Sequence, residues 1–89
     1  MTILLTSDIQ AQTQQGYDTM INMLREPLRQ AEGFVMHTAH PIDGGWRIVE
    51  IWNSKEQLDR FFTHYVVPNM PSGVAPKIEV KELHSLVAP

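Results

Sequence analysis

Apolar residues change their spacing along this chain, and each change marks an element. Ile3 to Thr6 is a short apolar run that predicts a first strand. From about Gln10 the period becomes helical: Tyr17, Met20, Ile21, Leu24, Leu28 and Ala31 share one face, with Gln, Asn, Asp and Arg between them. Asp8 is the expected N-cap, Pro27 should kink or restart the helix, and Gly33 supplies the stop. Phe34–His40 and Trp46–Trp52 then flank Pro41-Ile42-Asp43-Gly44-Gly45, and Asp-Gly between two β-rich runs is a strong hairpin signal. Ser54-Lys55-Glu56-Gln57 matches a capping box. Leu58, Phe61, Phe62 and Tyr65 follow at helical spacing, predicting a second helix to about Val67. Pro68, Pro71, Gly73 and Pro76 predict a loop, and the alternation from Lys77 to Leu83 predicts a last strand with Ile78 and Val80 on one face.

The order β-α-β-β-α-β is the ferredoxin-like pattern: an α+β domain with a four-stranded antiparallel sheet and both helices on one face. The hairpin lacks clean alternation. Trp46, Ile48 and Trp52 fall on one face, Val49 and Ile51 on the other, so both faces ask for burial. A single helical layer covers only one. The economical cover for the other is a second copy of the chain about a two-fold axis, giving a homodimer.

Composition narrows the field. Residues 1–89 allow one domain. There is no cysteine, which removes disulfides, thiolate metal sites and a cysteine nucleophile. A net charge of −3 with no basic run lacks the footprint of a nucleic-acid binder. No signal peptide and no apolar run of membrane-spanning length are recognised, so no membrane contact and a cytoplasmic location are expected.

Candidate chemistry centres on one pair. With Asp43-Gly44 as a two-residue turn, Ile42 faces Gly45 and His37 falls opposite Glu50, on a face shared with Val35, Ala39, Ile48 and Trp52. A carboxylate beside an imidazole fixes its tautomer and raises its basicity, as a general base requires. A structural His–Glu pair at a sheet end or dimer seam is the alternative. Trp46, Trp52, Phe61 and Tyr65 are candidate walls of a flat aromatic pocket, though the core is the better reading for Phe61 and an equal one for Trp52. His64, beside the Pro-rich loop, is a second candidate acid/base group, or a solvent-exposed residue. Arg47 is expected in an ion pair at a dimer interface, and His40 and His84 at the surface. His37 and His40 lie on opposite strand faces, poor geometry for a shared ion, and no metal is expected.

Gly33-Phe34-Val35, Gly45-Trp46-Arg47-Ile48-Val49-Glu50-Ile51-Trp52 and Ser54-Lys55-Glu56-Gln57-Leu58 resemble the antibiotic biosynthesis monooxygenase domain of the dimeric α/β-barrel superfamily. The resemblance spans nearly the whole chain in element order. Its specific part is Glu50, Trp52 and Ser54, followed by Leu58. It implies two ferredoxin-like protomers packed sheet to sheet, each with a cavity between its sheet and helices. It also implies Trp52 as a pocket-lining tryptophan and Glu50 as the characteristic carboxylate. Family members include cofactor-independent monooxygenases of anthrone-type polyketides, haem-degrading enzymes, cyclases, isomerases and stress proteins. Many carry a histidine about where Phe61 stands here, which moves any acid/base role to His37 or His64 and argues against haem ligation from that position.

The functional expectation is a cofactor-free monooxygenase-like enzyme acting on a small aromatic or polyketide-type molecule. A non-oxidative cyclase or isomerase using the same base is one alternative. A non-catalytic, ligand-binding or stress-related dimer is another.

Overall fold

The first strand outruns its apolar stretch. In the computed structural model, which describes residues 1–70 and 75–89, β1 spans Ile3–Gln10. Asp8 is therefore a strand residue, and the cap of the first helix, α1 (Gln14–Gln30), is Thr13, whose hydroxyl accepts from the Gly16 amide at 3.1 Å. Pro27 does not interrupt α1, which continues to Gln30. Gly33 follows with φ +87°, the left-handed conformation that suits glycine.

Strands β2 (Phe34–Ile42) and β3 (Gly45–Trp52) form the predicted hairpin, with Ile42 opposite Gly45 and His37 opposite Glu50. One expectation shifts. A bulge between Phe34 and Met36 turns Val35 out, and Phe34 takes its place against Trp52, ring centroids 5.4 Å apart. Helix α2 (Lys55–Phe61) opens on Ser54, whose hydroxyl accepts from the Gln57 amide at 3.2 Å. Regular α-helix ends earlier than the apolar spacing predicts. Phe62–Val66 winds as a π-helix and Val67–Asn69 as a 3-10 turn. Pro71 and Gly73 of the predicted loop lie outside the described residues. Strand β4 is Lys77–Glu82.

The sheet runs β2-β3-β1-β4, antiparallel at each pairing. Ile3 and Leu5 of β1 and Trp52 of β3 meet Ile21, Leu24 and Leu28 of α1 and Leu58 and Phe61 of α2 in the core. Each such side chain contributes about 1.5–3 kcal/mol on burial. Trp52 is the most enclosed, at 0% exposure.

Register sorts the outer sheet face into three rows. Met36, Ile51 and Leu4 form an apolar row that ends on Lys81, Thr38, Val49 and Thr6 the next, ending on Glu79, and His40, Arg47, Asp8 and Lys77 a charged one. Ile51 is already buried within the single chain. Arg47 also finds its partner there: its Nε and Nη2 donate to Asp8 at 2.7 and 2.9 Å. The interface ion pair expected for Arg47 is thus replaced by an intrachain one, because strand pairing sets Asp8 directly across from it. That pairing holds the Asp8 carboxyl below its usual range.

Candidate functional site

Four side chains from three elements form one hydrogen-bonded series on the helix-facing side of the sheet. The Trp52 indole N–H donates to Glu50 Oε1 at 2.9 Å. Glu50 Oε2 lies 2.5 Å from His37 Nδ1, and His37 Nε2 lies 2.6 Å from the Tyr17 hydroxyl. Strand alternation places Trp52 and Glu50 two residues apart on one face of β3, and hairpin register brings His37 across from Glu50. Tyr17, in the first turns of α1, completes the series from above. With Glu50 accepting, Nδ1 carries the ring proton and Nε2 is left to accept from the tyrosine O–H.

Burial strengthens the series. His37 and Glu50 side chains are 12% and 11% exposed, so neither is easily resolvated. Tyr17 is half-buried, and its phenol is pushed above its ordinary value first by burial and then by the Glu50 charge, with Arg25 opposing. Tyr17 also stacks on Trp46, centroids 5.8 Å apart at 21°. The Trp46 N–H is buried without a hydrogen-bond partner among the described residues.

His37 is the partition between two hollows. On one side is a cavity of about 430 Å³ under both helices, walled by Leu5, Met20, Leu24, Ile48, Phe61 and Phe62, with Ser7 and Glu50 as polar points. On the other is a groove of about 650 Å³ between α1 and β2, where Tyr17, Asp18, Arg25 and Arg29 surround an apolar floor of Phe34 and Leu28. Both volumes suit a small organic ligand.

The structure brings together His37, Glu50 and Trp52, and adds Trp46 through the Tyr17 stack. Phe61 lines the cavity and packs on Trp52, 5.4 Å between centroids. Trp52 lies behind Glu50 rather than on either hollow's wall. His64 is exposed with its ring against Tyr65, centroids 4.6 Å apart, and neither residue borders the cavity or the groove. The π-helical turn explains this. It sets the segment after Phe61 off the 3.6-residue spacing by which those faces were assigned. His40 and His84 are exposed, as expected. No cluster of three or more potential metal ligands occurs among the described residues. No helix among them is long and apolar enough to cross a membrane.

Tyr17 escaped the sequence reading. Its place on the apolar stripe of α1 marked it as core, and helical periodicity does not say which strand residue a phenolic tip reaches. The available signal was chemical: a tyrosine needs a partner for its hydroxyl when half-buried.

Neither a family model nor a curated protein matches the chain. Solved structures do. The cofactor-independent oxygenase SnoaB from Streptomyces nogalater aligns with a TM-score of 0.70 at 8% identity, over 99% of this chain and 98% of its own. The haem degrader MhuD from Mycobacterium tuberculosis, with two haems in its active site, aligns at 0.68 and 12% identity, over 97% and 99%. A Bordetella bronchiseptica protein assigned as an antibiotic biosynthesis monooxygenase aligns at 0.61 and 13%, over 92% and 96%. The chain therefore has the ferredoxin-like α+β fold that these proteins of the antibiotic biosynthesis monooxygenase type share from end to end.

Proposed function

We propose that the chain is a cofactor-independent, monooxygenase-like enzyme for a small aromatic or polyketide-type molecule, working as a homodimer. The observation that carries this reading is the His37–Glu50 contact of 2.5 Å, held at the edge of hollows of ligand size. The fold shared with a cofactor-independent oxygenase supports it. An activated aryl CH2 flanked by acidic hydroxyls supplies its own electrons to O2. Removal of a proton gives a carbanion, O2 adds to it, and loss of water leaves the ketone, so that CH2 and O2 become C=O and H2O. The protein must take a proton, orient the ring and exclude bulk water. His37, oriented by Glu50 and through it by Trp52, is the base.

Haem does not fit these residues. His37, the histidine that borders the hollows, has both ring nitrogens engaged, and Phe61 offers no ligand.

The test is oxygen uptake with anthrone as probe. The wild-type protein should consume O2 and form anthraquinone, and His37→Gln should lower kcat/KM by about 100-fold, the low end for loss of a general base. Equal uptake by the two proteins would overturn the role of His37. The cyclase or isomerase reading draws on the same base and requires no O2. Product formed under argon from a polyketide-type substrate would favour it over oxygenation. A protein that binds the probe and turns over neither would leave a ligand-binding dimer.

A further inference from the structure

His37 separates two hollows, and its hydrogen bonds distinguish them. Nδ1 is held by Glu50, so the one ring nitrogen able to gain a proton is Nε2. Nε2 is covered by the Tyr17 hydroxyl at 2.6 Å. Tyr17 does not border the inner cavity; it borders the groove between α1 and β2. Building on the reading of His37 and Glu50 as a base, we propose that Tyr17 is the residue that meets the substrate's proton. It does so in the α1–β2 groove, on a ligand that joins an acidic aryl hydroxyl to a carboxylate.

The step moves protons only. The aryl hydroxyl gives its proton to Tyr17 Oη as the Tyr17 proton passes to His37 Nε2. The products are an aryl oxide, an intact tyrosine and an imidazolium beside Glu50. Glu50 and Trp52 act as positioning residues: the carboxylate stabilises the new positive charge, and the indole N–H fixes the carboxylate. The phenol of Tyr17 is held neutral by burial and by Glu50, so it works only through transfer to His37 and not by ionising alone. The charges facing it are Glu50, Arg25 and Asp18.

The ligand class follows from the rest of the groove. Arg25 and Arg29 lie one turn apart on α1 and both border it. Arg25 makes no ion pair with a described residue, and Arg29 has only a long 3.4 Å contact with Glu26. Ile21, between Tyr17 and Arg25 on α1, joins Leu28 and Phe34 in giving the groove its apolar surface. Eight residues separate Tyr17 from Arg25, about 12 Å along the helix, and arginine side chains lean back toward the N-terminus. The remaining span suits one or two aromatic rings. The two guanidinium groups attract the carboxylate to their end, which sets the orientation: hydroxyl to Tyr17, carboxylate to Arg25 and Arg29.

The experiment uses 4-hydroxy-3-nitrobenzoate, whose phenolate absorbs in the visible. On binding the wild-type protein, its phenol should ionise at lower pH, by about one pH unit or tenfold in ionisation. Tyr17→Phe and His37→Gln should each bind the probe and abolish that shift, with native NMR dispersion confirming their folds. The double variant R25Q/R29Q should weaken this probe about tenfold, and leave 2-nitrophenol, which lacks the carboxylate, unaffected. Amide signals of Tyr17, Arg25 and Met36 should move on titration. A shift retained in both Tyr17→Phe and His37→Gln would overturn the proposal, as would perturbation confined to Leu5, Leu24 and Phe62 of the inner cavity, or no binding at all. None of these readouts involves O2. Failure with anthrone and failure here are therefore separate results.

Discussion

At the residue scale, the proposed chemistry rests on one series of hydrogen bonds whose ends differ in kind. Trp52, fully enclosed, anchors one end, and Tyr17, half-buried, forms the other. The middle was legible in the sequence, because Asp43-Gly44 closes the hairpin in two residues and the count back from it sets His37 opposite Glu50. The ends were not. Trp52 looks like a pocket wall on its strand, yet its indole is turned to Glu50 within the core. The raised pKa of Tyr17 has a consequence for stability. A phenol that ionises later in the folded state than in the unfolded chain adds stability that is complete below the ordinary value of 10.0, and that is lost as pH rises through the raised one. Tyr17→Phe should therefore lose less stability than wild type between about pH 9 and pH 11, although it starts lower for want of one hydrogen bond. Urea midpoints across that window decide it, and parallel slopes for the two proteins would refute it.

At the element scale, strand and helix identities followed from spacing, while their departures from regularity did not. The bulge at Val35 and the π-helical turn at Phe62–Val66 each displace one face by a residue, and period counting assumes neither. The first exchanges Val35 for Phe34 beside Trp52. The second leaves His64 and Tyr65 outside. Gly33 ties these elements together. Its carbonyl accepts from the Asn53 amide at 2.7 Å, its φ is +87°, and a Cβ placed there would meet the Gln57 side chain. Gln57 is itself held by the Ser54 hydroxyl, which donates to its Oε1 at 3.0 Å. Gly33→Ala should thus disturb both the end of α1 and the start of α2, costing about 1–3 kcal/mol through the left-handed backbone and the displaced glutamine. Thermal unfolding measures the loss. A melting temperature equal to wild type would mean that the Gln57 side chain moves aside freely and the backbone carries no strain.

At the scale of the whole molecule, the ferredoxin-like order was readable because turn and cap signals punctuate every element, whereas the outer sheet face was misjudged in part. Ile51 and Arg47 find cover and charge within their own chain, so what a second copy would bury is narrower: Leu4, Met36 and Val49. A homodimer through that face should appear in light scattering as twice the chain mass, with a melting temperature that rises with protein concentration. Val49→Lys should return it to the single-chain mass with its circular dichroism intact. Single-chain mass for the wild type at micromolar concentration would refute the dimer. The strand order also bears on how such a scaffold diversifies. His37 stands on β2, one of the two edge strands, while the core is built on β1, β3 and the helices. Of the four residues in the polar series, Trp52 belongs to that core, Tyr17 packs against it, and His37 lies in neither group. The imidazole at the margin can therefore be exchanged without repacking the interior. The proposed base thus stands on a border strand of the sheet, where its exchange costs the fold least.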